Sequence, residues 1–186
     1  MPLELKLTHP VYVAAITLQP ASGGFGTSVQ VTGASFRAGE TVKVYWNATG
    51  TPPVATTIAN STGAVETSFG ISLGSLGNHQ VIAVGQSSHR QAAATFQITP
   101  AAFLKYSSGK KGSSNTVTVY GFAAREKVSV HWNSASGTLL GSAVTSSPGT
   151  ATITFRIPSA PPATYHIYAI GGSSKATASA PFRIHT

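Results

Sequence analysis

Apolar and polar residues alternate along most of the chain. In "TSVQVTG" (27–33), Val29 and Val31 share one face. In "ETVKVYWN" (40–47), Val42, Val44 and Trp46 share one face, and Lys43, Tyr45 and Asn47 the other. "GAVETSFGI" aligns Val65, Thr67, Phe69 and Ile71, and a later segment aligns Ala151, Ile153, Phe155 and Ile157. "HQVIAVG" and "QAAATFQI" follow the first of these, "YHIYAIG" and "ATASAPFRI" the second. Glycine and proline clusters such as "SGGFG", "ATGTPP", "SSPG" and "SAPPAT" fall between the runs, and no window sustains helical spacing. The pattern predicts an all-β chain of short antiparallel strands, about seven in each half.

The halves are copies. Trp46 and Trp132 lie 86 positions apart, and the same offset carries Phe36 to Phe122, Glu40 to Glu126, Gly63 to Gly149, Phe69 to Phe155, Gly85 to Gly171 and Phe96 to Phe182. Nearer each start, "VQVTGASF" (29–36) matches "VTVYGF" (117–122) with two residues dropped, which pairs Gly33 with Gly121. A unit of this length holds its own core, so the period predicts two tandem domains, 13–99 and 100–186. Residues 1–12 have no counterpart at the start of the second copy.

Each copy resembles a bacterial immunoglobulin-like domain of the kind found in tandem in large surface proteins. The residues that carry the resemblance are Gly33, Phe36, Gly39, Glu40, Val42, Val44 and Trp46, and in the second copy Gly121, Phe122, Glu126, Val128, Val130 and Trp132, with Arg125 where the turn glycine should stand. The resemblance implies two tandem immunoglobulin-like antiparallel β-sandwich domains and no particular activity. In such sandwiches a tryptophan of the third strand packs between the sheets, usually against a disulfide. Val81 and Ile167 stand at the cysteine's place in the sixth strand, which predicts an aliphatic core with Trp46 and Trp132 as anchors. The competing reading makes them exposed, sugar-stacking residues.

Composition alters this picture in one respect. Only 9% of residues are charged, against about 25% in a typical soluble domain. Twelve Lys and Arg face four acids, Glu4, Glu40, Glu66 and Glu126, for a formal charge of +8. Such an excess suits an anionic cell-wall or glycan surface better than specific nucleic acid, because the bases are scattered apart from Lys110-Lys111. There is no cysteine and no aspartate, which removes thiol chemistry, thiolate metal sites and a Ser-His-Asp triad. The six histidines lack metal-ligand spacing, and Glu40 and Glu126 occupy equivalent turns of separate domains, so no paired acid and base is predicted. The chain is expected to be non-catalytic and to need no cofactor or metal. No apolar run approaches the roughly 18 residues of a membrane span, and "MPLELKLTHP" is not a signal peptide. Two sequons, at Asn47 and Asn60, fall at predicted turns and are candidate glycosylation sites.

Two features point to neighbours. "LKLTH" (5–9) resembles "FQITP" (96–100) and "FRIHT" (182–186), the last strands of the copies. Residues 1–12 therefore read as the final strand of an upstream repeat, as a strand donated to another subunit, or as an ordinary first strand running on to Leu18. The sixth strands are also apolar on the side away from the core, with Ile82 and Val84 in one copy and Tyr168 and Ile170 in the other; Tyr45 and His131 project to the same side from the third strands. These residues, with Leu3, Leu5 and Leu7, are the expected contact surface for adjacent repeats or identical subunits. The expected role is a structural or adhesive module of an extracellular or cell-surface protein or filament. The alternative is a carbohydrate-binding accessory module of a secreted enzyme.

Overall fold

A computed structural model describes residues 13–72 and 74–186. The expected extra strand at 1–12, with Leu3, Leu5 and Leu7, lies outside the described residues. All regular structure among them is β, in sixteen strands. In the first half, β1 (Ala15–Gln19), β3 (Ser28–Ala34) and β6 (Val65–Gly70) form a three-stranded sheet in the order β1-β3-β6. The strands β2 (Ser22–Gly23), β4 (Thr41–Trp46), β5 (Ala55–Ile58), β7 (Gly77–Gly85) and β8 (Gln91–Ile98) form a second sheet in the order β2-β8-β7-β4-β5. The second half repeats both. Its small sheet orders β9 (Ala101–Leu104), β11 (Ser114–Tyr120) and β14 (Ala151–Arg156) as β14-β11-β9. Its large sheet orders β10 (Ser108–Gly109), β12 (Lys127–Trp132), β13 (Leu139–Val144), β15 (Thr164–Gly171) and β16 (Thr177–Ile184) as β10-β16-β15-β12-β13.

Both halves are immunoglobulin-like β-sandwiches in tandem. Alternation builds each core directly. Val42 and Val44 oppose Gly85 and Ala83 across β4 and β7, and Val128 and Val130 oppose Gly171 and Ala169 across β12 and β15. The four valines are buried with Val81, Ile167, Phe36, Phe122, Phe96 and Phe182. By packing, the described residues divide into two compact units: 13–19, 30–69 and 80–95, and 20–29, 70–72, 74–79 and 96–186.

The repeat register is gap-free from end to end, unlike the two-residue deletion expected near the start. The left-handed backbone positions show this. Ser35 and Gly121 (φ 66° and 69°), Gly39 and Arg125 (73° and 57°), Asn47 and Asn133 (64° and 60°), Gly63 and Gly149 (76° and 73°), and His89 and Lys175 (57° and 58°) all pair at 86 residues. Gly121 is therefore the counterpart of Ser35, and Gly33 that of Val119. Backbone geometry fixes the correspondence where side-chain identity misleads. At Arg125 the turn keeps its left-handed conformation although the glycine that favours it is gone.

The tryptophans sit at the margin of the cores rather than at their centres. Trp46 and Trp132 are half-buried. Trp46 meets Phe69 edge-on at 6.0 Å, and Trp132 packs on Tyr165 at 4.7 Å and near Phe182 at 6.4 Å. Each ends its strand, and the next residue, Asn47 or Asn133, turns the chain away through a left-handed conformation. The fully buried aromatic positions are held by phenylalanines, chiefly Phe96, Phe122 and Phe182.

Phe122→Ala and Phe96→Ala should each destabilise by about 3 to 5 kcal/mol, the range for emptying a buried aromatic site. Trp132→Ala should cost visibly less. Denaturant unfolding of the three variants checks the order, and equal or larger loss at Trp132 would contradict its marginal position.

Candidate functional site

Among the described residues, the most elaborate polar clusters are two copies of one carboxylate cage. Glu40 precedes β4, and its side chain is only 5% exposed. Its Oε1 accepts from the Arg37 N–H (2.6 Å) and the Ser88 hydroxyl (2.7 Å). Its Oε2 accepts from the Ser88 N–H (2.8 Å), the Ser87 hydroxyl (3.0 Å) and the Ser87 N–H (3.1 Å). In the second sandwich Glu126 does the same. Oε1 takes the Ala123 N–H (2.7 Å) and the Ser174 hydroxyl (2.9 Å), and Oε2 takes the Ser173 hydroxyl (3.0 Å) and the Ser174 N–H (3.1 Å).

Each cage bridges the turn before β4 or β12 to the hairpin joining β7 to β8 or β15 to β16. The approach is close enough to dictate a glycine. A Cβ on Gly85 would lie under 3 Å from the Glu40 carboxylate, and one on Gly171 under 3 Å from that of Glu126. Sequence reasoning placed both glutamates at equivalent turns of separate domains and passed over the serines. The signal was available in the register: Ser87-Ser88 and Ser173-Ser174 repeat at the same 86-residue offset as their glutamates.

Burial alone would raise these carboxyls by disfavouring their charged form. The hydrogen bonds outweigh it: for Glu40 those from the Arg37 N–H and from Ser88 and Ser87 bring the carboxyl down to about 2. Glu126 is lowered for the same reason, by donors from Ser174, Ala123 and Ser173. Both carboxylates are ionised and saturated with donors, which suits an architectural clamp and leaves no lone pair aimed at a substrate. Glu66 accepts from the Gln30 side chain at 2.5 Å. Among the described residues no group of three or more His, Asp or Glu could hold a metal ion.

The predicted contact residues are brought together in pairs. Tyr45 lies directly across from Ile82, and Lys43 from Val84; His131 lies across from Tyr168, and Ser129 from Ile170. Tyr45 is buried at 9% exposure, and Ile82, Val84, His131, Tyr168 and Ile170 are half-buried, so the outer face of each large sheet is less open than the alternation suggested. His131 is held within its own sandwich, with Nδ1 2.9 Å from the Gly137 carbonyl and Nε2 3.0 Å from the Ser129 hydroxyl. Of the sequon residues, exposed Asn47 accepts from the Gln80 N–H at 3.2 Å. Asn60 Oδ1 accepts from the N–H and hydroxyl of Thr62 and from the Ala64 N–H, closing the turn before β6.

Residues 12–98, just under half of the chain, match the model of the macroglobulin-like domain. No curated protein matches the chain. Among solved structures it is similar to a tetra-tandem repeat in the extending region of a large adhesion protein, at 14% identity over 93% of this chain and 49% of that one, with a TM-score of 0.37. It is also similar to the D0-D1 domain of intimin, at 14% identity over 91% of this chain and 96% of that one (TM-score 0.32). A third is the adhesin InvE of Yersinia pseudotuberculosis, at 14% identity over 92% of this chain and 59% of that one (TM-score 0.36). The chain spans about half the length of the first of these. At such identities and scores the likenesses carry no argument about role.

The cages make stability depend on pH. Because the folded carboxyls titrate below the ordinary glutamate value of 4.5, their contribution is complete above that value and is lost as pH falls below it, for Glu40 towards about 2. For Glu40 the loss should be on the order of 3 kcal/mol. Glu40→Gln should lower the melting temperature at pH 7 and flatten its decline in acid. A parent and variant with parallel acid profiles would remove the cage as the cause. Gly85→Ala should destabilise through the same contact, by about 1 to 3 kcal/mol.

Proposed function

We propose that this chain is a non-catalytic structural or adhesive module of an extracellular or cell-surface protein, with two immunoglobulin-like domains at 13–99 and 100–186 and its contacts made to protein neighbours. The observation that carries the reading is the use of its carboxylates. In a chain with four acids, Glu40 and Glu126 are each enclosed by backbone and serine donors that join loops within a sandwich, at the same place in both copies. An acid kept charged, buried and fully hydrogen-bonded cannot exchange protons with a substrate near neutral pH. Duplication of an architectural device fits a module whose use lies in its shape and cohesion. The sparse charge and Ser- and Thr-rich surface accord with a spacer exposed to solvent.

The half-buried outer residues Ile82, Val84, Tyr168 and Ile170, beside Tyr45 and His131, supply the contacts to adjacent repeats or identical subunits in this reading, together with the strand at Leu3, Leu5 and Leu7. The apolar character of a strand's outer side is what partner burial requires.

Antibody labelling of intact source cells should detect the chain without permeabilisation, and mild protease treatment of intact cells should remove it. Labelling only after permeabilisation would overturn the surface assignment. For the contacts, light scattering should show that Ile82→Ser with Tyr168→Ser, or removal of residues 1–9, abolishes self-association while the melting transition remains. Association unchanged in both variants would refute the contact surface.

A further inference from the structure

Charge divides unequally between the sandwiches. Residues 13–99 hold three Lys and Arg against two acids, a balance of +1, whereas residues 100–186 hold eight against one, a balance of +7. All eight of those bases are exposed, and the single acid, Glu126, is the caged carboxylate. Every Lys, Arg, Asp or Glu that the second sandwich turns to water is therefore a cation. Solubility is served by both signs interspersed. A surface free of acids suits a partner of negative charge.

The cage gathers three of the eight at one end of the large sheet. Arg125 and Lys127 flank the buried Glu126, one before β12 and one at its first residue. Lys175 lies in the hairpin between β15 and β16. The Gly172 N–H of that hairpin donates to the Lys127 carbonyl at 2.9 Å, and the Lys175 ammonium donates to the Gly172 carbonyl. That bond leaves two of the ammonium's three N–H groups for another acceptor. The three cations do not serve the carboxylate they surround, since its donors are the Ala123 N–H and the N–H and hydroxyl groups of Ser173 and Ser174.

Arg125 holds its place against local stability. Its φ of 57° lies in the left-handed region, and its counterpart 86 residues earlier is Gly39 (φ 73°), which takes that conformation freely. Lys127 and Lys175 stand where the first sandwich has Thr41 and His89. The first sandwich has arginines at this end too, but at other positions, Arg37 and Arg90, where the second has Ala123 and Ala176. There the Arg90 guanidinium is engaged with its own fold, donating to the Ser35 carbonyl at 2.6 Å. A side chain kept in a backbone conformation that favours glycine marks a place where something besides stability is served.

We propose that the hairpin end of the second sandwich, at Arg125, Lys127 and Lys175, binds an anionic polymer whose charges are phosphodiesters spaced by sugar or polyol units. Lysine ammoniums on flexible stems meet phosphate oxygens as point charges, and the guanidinium meets two oxygens at once. The five other cations of the same sandwich extend the attraction to further units of the polymer. A nucleobase would find no ring to stack on in the two segments that carry the site: within 121–127 and 171–177 the one aromatic residue is Phe122, fully buried. This goes beyond the surface-module reading and is tested without it.

Calorimetric titration of the full chain should be run well above the ordinary histidine pKa of about 6.5. A glycerol-phosphate oligomer should bind, an oligogalacturonide and a single-stranded oligodeoxynucleotide of equal charge should bind more weakly, and neutral maltohexaose should not bind. Arg125→Gly with Lys127→Thr and Lys175→His installs residues that the first sandwich already carries at these places. It should weaken binding of the glycerol-phosphate oligomer by about tenfold or more, the scale of one lost charged contact, with the melting transition retained. Arg125→Gly alone should raise the melting temperature while weakening binding, a split that a merely structural residue would not give. Lys105→Gln with Lys111→Gln and Arg183→Gln removes equal charge from exposed positions elsewhere and should weaken binding less. Raising salt from about 50 to about 200 mM should weaken binding by more than about tenfold, the scale for three phosphate contacts. The proposal is overturned if the glycerol-phosphate oligomer does not bind, if either comparison polyanion binds equally or better, or if the two triple variants weaken binding alike. Cell-surface labelling bears on none of these outcomes, so either idea can fail alone.

Discussion

A charged carboxylate buried at the same point in both sandwiches sets the limits within which the rest of each fold is arranged. Removing an ionised group from water costs several kcal/mol unless its oxygens are fully hydrogen-bonded. Glu40 and Glu126 meet that demand by drawing in donors from two loops distant in sequence, one before the strand that follows and one in the last hairpin. The loops must therefore come together for the strand between them to enter the core. The glycine beneath each carboxylate and the paired serines around it are consequences of that requirement.

Around this shared device the copies have diverged in how they satisfy buried polarity. Val29 in β3 is fully buried, whereas its counterpart in β11 is Asn115, also buried, which bonds the main chain of Tyr106 in both directions. Ala59 in the first copy becomes Thr145 in the second, whose hydroxyl donates to the Ala123 carbonyl and accepts from the Glu126 N–H. In the first copy the Arg90 guanidinium reaches the carbonyl of Ser35, a tie the second copy lacks because Ala176 stands there. Among the described residues no buried side-chain nitrogen or oxygen lacks a partner. Divergence has changed which groups meet while keeping every one of them met.

The sandwich architecture was legible in the sequence because strand alternation and the repeat period are both linear signals. Val42, Val44, Val81 and Ala83 could be assigned to a core side by counting in twos, and they are buried. The register near each start was not legible, since matching Gly33 to Gly121 follows residue identity, whereas the actual match of Ser35 to Gly121 lies in a backbone angle that two unlike residues share. The tryptophans were placed too deep because alternation gives the face of a strand and says nothing of how near its end the sandwich closes. The cages escaped notice because their members lie 47 and 48 residues apart, and only folding makes them neighbours.

The two shortest strands have a mechanical consequence. Near its entry each sandwich pairs two residues in parallel with its final strand, Ser22 and Gly23 against Gln97 and Ile98, and Ser108 and Gly109 against Arg183 and Ile184. The Gln97 and Thr99 N–H groups donate to Ala21 and Gly23, and those of Arg183 and His185 to Ser107 and Gly109. Tension applied along the chain at those entry and exit points pulls the parallel partners in opposite directions. Their hydrogen bonds then lie across the load and must rupture together, unlike those of a hairpin, which unzip one at a time from its open end. Each sandwich therefore meets stretching with a shear latch between its incoming and outgoing chain, beside the end of its final strand.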